Sequence, residues 1–462
     1  MKKQFTFILL ILSAGFCFSQ GQIQLYNVDD LPQSLMLNPG AEVHFDKHLG
    51  IPLLSGIHVQ GGSTGVNFYD LFEKNSDFNN RLQKAVFSLS KKDYFSVNEQ
   101  LEIFSVGFRL RDGDYISGGW YQELDAISYY PEDFAILAYE GNANYINKYF
   151  DLSDAVAKGE IVSVFHLGYN HQVSKALTIG ARGKIYGSMF NFQSTNNQGY
   201  FVTRDSPDGN NVYSHELINA QFLLQTSGTD GFKALRPKQL AKNALLSKNM
   251  GVGIDLGFSY KFNYNWQVTG SMVDFGVIAN KGTLREYYFS GNYKLDGIGF
   301  TFPQVNNGES SNDYFNNIED EFFDNVKYGD RIGKGYLSWR PLKLYGSIDY
   351  GFGQKTGCDC LHPAEKRFVN HTGLQLAAIK RPLSPQFAVT AFFDTQLTDF
   401  IRTKFTYTVD PYSYSNLGFL VSTQVSIFNF YVSADNVLNY TNLAKANSLS
   451  LQLGLQLVLK NK

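Results

Sequence analysis

The densest group of chemically reactive side chains in this sequence is the run at residues 358–362. It holds Cys358, Cys360 and His362, a set that can bind a soft metal ion. A structural zinc site would need a fourth ligand such as His371, and the spacing is not a standard one. We predict oxidised cysteines without metal or cofactor, because export to an oxidising compartment is predicted below. A disulfide within the run and a disulfide to another chain both stay open.

The eight histidines do not form a catalytic or metal-binding pattern. His166 and His171 are five residues apart, an odd spacing that places them on opposite faces of a strand. His44 and His48 share a face, but no second type of ligand is identified beside them. Nothing recommends a converging serine, histidine and acidic group. We therefore predict no catalytic residues, no metal site and no enzyme.

Charged residues recur at alternate positions of otherwise apolar segments. In residues 251–262, large apolar side chains fill every second position, and small or polar ones fill the positions between. Residues 104–111 and 177–186 repeat this pattern. Charges at such positions cannot face lipid, so they must point into a polar lumen. We predict that six of them form a luminal charge network: Arg109, Arg182, Lys184, Asp255, Lys261 and Asp274.

The composition favours strands that span a membrane. The chain has 29 Tyr, 39 Phe and 42 Gly, and only 18% of its residues are charged. An ordinary soluble domain has roughly 25% charged residues. A lipid-facing and a luminal side on each strand would explain both features. The net charge of −2 excludes the basic field of a nucleic-acid-binding protein.

The N-terminal region divides into two short parts. Lys2 and Lys3 precede an apolar stretch at residues 5–18 and the small Ser19, which predicts a cleaved signal peptide at residues 1–19. Residues 20–42 are apolar and broken by proline, so they need cover and are predicted to form a plug inside the lumen. Residues 43–462 are predicted to be the barrel. The plug motif consists of Leu31, Pro32, Asn38 and Pro39.

Short turns alternate with long polar segments along the rest of the chain. The long segments are residues 69–98, 131–160, 191–249 and 281–329, and this asymmetry is typical of outer-membrane barrels. We predict an all-β fold, a transmembrane antiparallel barrel of about 14 strands. Twelve and sixteen remain open, because about fifteen candidates occur and an even number is expected. Residues 385–423 are the uncertain region, since 387–393 and 401–409 are not both required to span.

Three stretches carry a resemblance to a known group of proteins. Residues 251–260 with 271–278, the pair 31–34 and 37–40, and residues 430–438 resemble the FadL-like and PorV-like outer-membrane barrels of Bacteroidota, closest to an uncharacterised family within them. The resemblance covers most of the chain after residue 19. It implies an outer-membrane location and a barrel of about fourteen strands with the N-terminal segment in its lumen.

Two functions are compatible with that resemblance. One is a plugged accessory or docking subunit of a secretion or assembly complex, as in PorV of the type IX secretion system. The other is a FadL-like transporter of small hydrophobic molecules, which needs a continuous apolar pocket. The luminal positions identified above are charged or small, so we predict the docking role. Its partners would be outer-membrane lipid and other outer-membrane or secreted proteins, and not nucleic acid.

Overall fold

The computed structural model describes residues 21–73, 77–111, 113–205, 213–232, 235–295, 319–354 and 368–460. The predicted signal peptide and the run at residues 358–362 lie outside them. In the described part of the chain, no helix has the length and apolar character needed to cross a membrane. Twenty strands of these residues join in one antiparallel sheet.

The strands and helices have the following bounds. The strands are β1 Lys47–Gly50, β2 Ile57–Ser63, β3 Tyr94–Arg111, β4 Asp114–Tyr129, β5 Tyr149–Asp151, β6 Ala157–Gln172, β7 Leu177–Asp205, β8 Tyr213–Ser227, β9 Met250–Lys261, β10 Trp266–Asn280, β11 Arg285–Leu295, β12 Val326–Ile332, β13 Tyr336–Trp339, β14 Lys343–Gln354, β15 Phe368–Ile379, β16 Gln386–Gln396, β17 Ile401–Val409, β18 Asn416–Val425, β19 Phe428–Asp435 and β20 Ser448–Leu459. The α-helices are α1 Ser34–Leu37, α2 Phe68–Phe72, α3 Phe78–Ser88, α4 Glu132–Tyr139 and α5 Pro237–Leu246, and short 3-10 helices lie at Gly21–Leu25, Val437–Thr441 and Leu443–Lys445.

The wall of the barrel closes with fourteen strands, as predicted. The short strands β1 and β2 together fill the place between β20 and β3. In the same way β13 and β14 both pair with β10 and count as one interrupted strand. The remaining wall order is β3, β4, β6, β7, β9 and β10, and then β15 to β20 in sequence. Both β16 and β17 are wall strands, so the uncertain region spans twice.

The alternation of side chains along β9 is the one that a lipid-facing wall requires. Val252, Leu256 and Phe258 are exposed on the outside of the barrel, with 43% of Leu256 accessible. Asp255 and Ser259, at the positions between, are buried inside. Exposed large apolar residues in such a row have a favourable environment only in lipid. The strands therefore form a transmembrane barrel.

We expect Leu256→Arg to impair assembly of the barrel. Leu256 lies near the middle of β9 and faces outward, where an arginine in lipid costs about 2–4 kcal/mol. The matched control is Leu256→Phe, which stays apolar and should assemble normally. The fraction of folded protein is measured by the mobility of unheated samples on SDS gels. Equal assembly of the two variants would show that this face does not contact lipid.

A separate sheet extends beyond the wall at one end. Residues 177–187 of β7 pair with β9, but residues 191–205 pair with β8, which continues to β11 and β12. The strands of this arm lie within or overlap the segments 191–249 and 281–329, which were predicted to be loops. The prediction missed the arm because its strands have no lipid-facing row of large apolar side chains to reveal them.

The two ends of the barrel differ in their connections. Among the described connections at one end, β6 to β7, β9 to β10, β16 to β17 and β18 to β19 are joined by only two to four residues. Lys47 pairs with Leu459 at this same end. The opposite end carries the arm and the helices α2 to α5. In outer-membrane barrels the short turns are periplasmic, so we call the first end the periplasmic opening.

Candidate functional site: the filled lumen of the barrel

Residues 21–46, called here the N-terminal segment, lie inside the barrel. Tyr26, Leu31 and Asn38 of this segment are fully buried. The segment contains only the single helical turn α1 and one 3-10 turn. Pro32 and Pro39 have no backbone N–H, so the segment cannot join the ladder as a regular strand. Its backbone groups must find partners among the side chains of the wall.

Wall side chains hydrogen-bond to successive carbonyl groups of the N-terminal segment. Arg182 donates to the carbonyls of Leu35 and Met36. Further contacts of this kind come from other polar luminal side chains. The donors are Gln375 (3.0 Å) and Lys404 (2.7 Å) to Tyr26 O, Ser271 to Leu37 O (2.6 Å), Asn170 to Pro39 O (2.8 Å) and Ala41 O (2.9 Å), Ser259 to Gly40 O (2.8 Å), and Arg109 to Val43 O (2.8 Å) and Phe45 O (3.2 Å).

Glycines let the N-terminal segment lie directly against the backbone of the wall. A Cβ atom at Gly180 of β7 would overlap the carbonyl of Pro39, and one at Gly257 of β9 would overlap the Asn38 side chain. A Cβ at Gly40 would in turn overlap the backbone of Gly257. Close backbone approach of this kind is open only to glycine. The small luminal positions of β7 and β9 therefore make room for the segment.

We expect Gly180→Val to displace the N-terminal segment and make the barrel permeable. The added side chain occupies the position of the Pro39 carbonyl, and overpacking of this kind forces the backbone to shift. The matched control is Gly183→Val on the same strand, where an added Cβ meets nothing within 4 Å. Entry of a chromogenic β-lactam into cells producing each variant measures the effect. Equal entry of the β-lactam with both variants would show that the N-terminal segment does not close the lumen at Gly180.

Four of the six residues predicted to form a luminal charge network lie together. Lys184 contacts Asp255 at 2.9 Å and Asp274 at 2.7 Å, and Arg182 contacts Asp255 at 3.3 Å. All four side chains are buried. Ion pairs in such a position are tolerated only when each charge has a partner. This group, on β7, β9 and β10, holds Arg182 in place beneath the carbonyls of the segment.

Two irregularities of the wall enlarge the charge network. The register of β9 and β10 shifts at Asp274, which has φ of +61°. The backbone N–H of Asp274 donates to Asp255 Oδ1 at 2.8 Å. Asp is among the few residues that tolerate this left-handed conformation. On the neighbouring strand, Pro341 separates β13 from β14 and Arg340 N–H bonds Gly276 O at 3.0 Å. The register shift at Asp274 and the interruption at Pro341 lie at the same height along the barrel axis.

Arg340 and Lys343, beside that break, complete the network and were not predicted. Lys343 contacts Asp274 at 3.2 Å and Glu123 at 3.0 Å. Arg340 contacts Glu123 at 2.5 Å and also Glu160. The alternation of Tyr121, Glu123 and Asp125 on β4 was the available signal for the acidic partners. In the whole group five cations face five carboxylates: Arg182, Lys184, Arg340, Lys343 and Arg381, with Glu123, Asp125, Glu160, Asp255 and Asp274.

The other two residues of the predicted network lie apart from it. Arg109 contacts Asp46 at 3.1 Å and Lys261 contacts Glu42 at 2.7 Å, both near the periplasmic opening. Each side chain pairs with a carboxylate of the N-terminal segment. Strand parity identifies the face of a side chain and not its height along the barrel.

An apolar patch lies on the luminal wall, on the side away from most of these charges. The N-terminal segment covers it with Ile23, Leu25, Val28 and Leu31, among others. The luminal positions identified from the sequence were charged or small, because they came from the strands with the clearest alternation, and this side of the lumen was not among them. The patch consists of Val273, Tyr345, Ala377, Ala388, Leu420 and Tyr431.

A cavity of about 440 Å³ lies at the periplasmic opening, between the N-terminal segment and the wall. Asp30 of the segment contacts Arg402 at 3.1 Å and Lys460 at 2.9 Å there. Burial raises the pKa of Asp30, but the charges of Arg402 and Lys460 outweigh it and hold that pKa well below its usual range. Asp30 is therefore a charged anchor of the segment. His44 and His371 also line this cavity.

The remaining reactive groups do not assemble into a catalytic site within the described residues. Residues 61–65 match the Gly-x-Ser-x-Gly pattern of a nucleophile elbow. The Ser63 hydroxyl, however, lies 2.7 Å from both Val66 O and the Tyr130 hydroxyl, and neither partner is a histidine. His166 is buried in the lumen, whereas His171 lies on the opposite face and contacts Asp114 at 2.6 Å.

Three solved structures are similar to this chain at low sequence identity. The toluene transporter TbuX of Ralstonia pickettii is 9% identical over 93% of this chain and 94% of that one, with a TM-score of 0.42. The toluene transporter TodX of Pseudomonas putida is 10% identical over 96% and 97%, with a TM-score of 0.38. A FadL homologue of Pseudomonas aeruginosa is 10% identical over 97% of both chains, with a TM-score of 0.43. No curated protein matches the sequence.

These findings correct the predicted function and refine the predicted resemblance. Two of these similar proteins are described as toluene transporters and the third as a FadL homologue, and the lumen of this chain has an apolar patch that the docking role did not foresee. The prediction of a PorV-like docking subunit, with type IX secretion, is therefore wrong. The fold itself is the transmembrane antiparallel barrel of fourteen strands that was predicted.

One family matches most of the chain. Residues 39–435 match the family described as "Family of unknown function (DUF5723)". The match begins within the N-terminal segment, at Pro39, and runs through the wall as far as Asp435 at the end of β19. It includes every residue of the luminal charge network. The chain therefore belongs to this family of unknown function, DUF5723.

Proposed function

We propose that the protein is a channel, and not an enzyme, through which small hydrophobic molecules cross the outer membrane when the N-terminal segment moves. The observation that carries this proposal is the apolar patch on the luminal wall, which the segment covers in the closed state. An exposed apolar surface in water attracts apolar solutes. Once the segment shifts, Leu420 and Tyr431 offer such a surface inside the barrel.

The contacts of the N-terminal segment are of a kind that permits movement. Its carbonyl groups are held by side chains such as Ser259, Ser271 and Asn170 and not by a strand ladder. Each of these hydrogen bonds can be exchanged for one to water at small net cost, about 0.5–1.5 kcal/mol. The wall pairs with itself around the whole circumference. The segment can therefore move while the wall strands stay paired in a complete ring.

Two further proposals concern the first residues of the chain and the source of the protein. We infer that residues 1–19 are removed as a signal peptide, since Lys2, Lys3 and the apolar stretch after them have the required order. We also infer that the protein comes from a member of the Bacteroidota, on the motif resemblance at residues 31–40 and 251–278. The lipid of the outer membrane is the expected partner of the exposed apolar face.

Uptake of an apolar dye tests the proposed function. Cells producing the protein should admit N-phenylnaphthylamine faster than cells with an empty vector, while a polar β-lactam should enter equally slowly in both. Leu420→Asn, in the apolar patch, should slow dye entry several-fold, and the matched control Leu420→Met should not. Dye uptake equal to that of the vector, or equal in Leu420→Asn and Leu420→Met, contradicts the proposal.

A further inference from the structure

Three side chains of metal-binding type meet at the periplasmic opening. His44 Nε2 lies 3.7 Å from Asp29 Oδ2 and 3.8 Å from Glu42 Oε2. The three ligand atoms lie within 4.8 Å of one another, and no other three His, Cys, Asp or Glu side chains of the described residues come as close. All three belong to the N-terminal segment. Glu42 and His44 alternate on its extended part, and Asp29 approaches from the preceding turn.

The spacing of these atoms is close to that of a zinc site. Zinc takes histidine nitrogen and carboxylate oxygen at about 2.0–2.2 Å, which places tetrahedral ligands about 3.3–3.6 Å apart. The distances from His44 to Asp29 and Glu42 exceed this range by only a few tenths of an ångström. Each side chain is partly buried and not fully enclosed. The cavity of about 440 Å³ beside them leaves room for a water molecule as fourth ligand.

The neighbouring cations do not displace such an ion. Lys261 Nζ contacts Glu42 Oε2 at 2.7 Å, but a carboxylate has two oxygen atoms and can serve a metal and an ammonium together. Arg402 and Lys460 are paired with Asp30, the carboxylate next to Asp29 in sequence. Two carboxylates and one imidazole leave the set with the negative charge that a divalent ion neutralises.

We propose that Asp29, Glu42 and His44 bind one divalent transition-metal ion, with zinc preferred. Imidazole with carboxylate suits zinc better than calcium or magnesium, which take oxygen ligands alone. The ion joins residue 29 to residues 42 and 44 and so closes the part of the N-terminal segment that packs against Arg182. Binding of the ion therefore ties down the segment at the periplasmic opening.

Zinc binding by the purified, untagged protein in detergent tests this proposal without reference to transport. All forms carry Cys358→Ser and Cys360→Ser, which removes the competing thiols. Calorimetric titration with zinc should give one site per chain, and cobalt should give weak visible absorption bands without a thiolate charge-transfer band. We expect His44→Gln to lower the affinity at least about tenfold, because even residues outside the ligand shell change it by about that much.

A second pair of variants keeps the test decisive. Asp29→Asn should also weaken binding, whereas His171→Gln should not, since His171 is paired with the single carboxylate of Asp114. Each variant is first shown to be folded by its unheated mobility on an SDS gel. Absence of a stoichiometric site, or an affinity that His44→Gln and Asp29→Asn leave unchanged, overturns the proposal.

Discussion

Replacing Arg340 with methionine is expected to lower the free energy of unfolding of the barrel by about 3–5 kcal/mol. The Arg340 side chain is completely buried and contacts Glu123 at 2.5 Å, together with Glu160. Its guanidinium also lies 5.3 Å from the centre of the Tyr186 ring. Methionine fills much of the same volume but removes the cation that contacts Glu160 and one of the two cations that contact Glu123. The poorly compensated buried charge is the source of the loss.

The matched control is the same substitution at an exposed pair. Arg285 contacts Asp230 at 2.5 Å and Asp330 at 3.3 Å on the arm, where water can replace it, so Arg285→Met should change stability little. Reversible folding in urea with detergent micelles measures both variants. Adding Glu160→Gln to Arg340→Met should recover part of the loss. An Arg340→Met variant as stable as Arg285→Met would show that the network is solvated, not buried.

Deleting residues 22–39 is expected to leave the barrel assembled but open. The fourteen wall strands close into a ring without any strand from residues 22–39, so closure of the barrel does not need the deleted residues. The luminal groups that bonded the segment, such as Arg182 and Lys404, can be solvated by entering water. Planar-bilayer recordings should change from almost no current to a steady conductance, and polar antibiotics should enter the cells.

Two observations distinguish an open barrel from a misfolded one. The deletion variant must keep the anomalous gel mobility of the unheated barrel, and the Gly183→Val variant, which alters only the outer face, must remain closed. A folded deletion variant that conducts no current would show that something other than the N-terminal segment closes the lumen.

The wall could be predicted from the sequence because the lipid-facing side of each strand must be apolar. In residues 251–262 that requirement leaves an uninterrupted alternation, and the structure has β9 at Met250–Lys261. The interrupted strands were harder to recognise. Pro341 divides one of them, and residues 51–56 divide β1 from β2. The arm was missed because strands outside the membrane need no apolar face.

The site was only partly predictable. Alternation along a strand shows which face a side chain occupies, but it does not show which side chains of other strands it contacts. Asp255 and Asp274 both lie buried in the lumen, on the face that the alternation indicated. The alternation could not show that Arg340 reaches Glu123, because 217 residues separate them and only the closed barrel brings them together. The apolar patch was hidden for a similar reason. Ala377 lies in a strand with apolar residues on both faces, so neither face stands out. Leu420 is a single apolar residue on a face of β18 that is otherwise small or polar.

His44, at the periplasmic opening, was not predicted as a metal ligand, and the reason is simpler. His44 was compared with His48 alone, although Glu42 stands two residues before it and shares its face. Asp29 could not have been connected with them from the sequence. Its approach depends on the turns at Pro32 and Pro39, which fold the N-terminal segment back on itself inside the lumen.

The most direct test of the central claim, that the N-terminal segment moves to admit hydrophobic molecules, is to fix the segment to the wall. Asn27 of the segment bonds Ser347 of β14 at 2.9 Å, so Asn27→Cys and Ser347→Cys can be joined by a disulfide or a short thiol crosslinker, with Cys358 and Cys360 replaced by serine. Cells carrying the joined form should lose the uptake of N-phenylnaphthylamine and recover it when the link is reduced. Uptake that continues unchanged in the fully joined form would contradict the account.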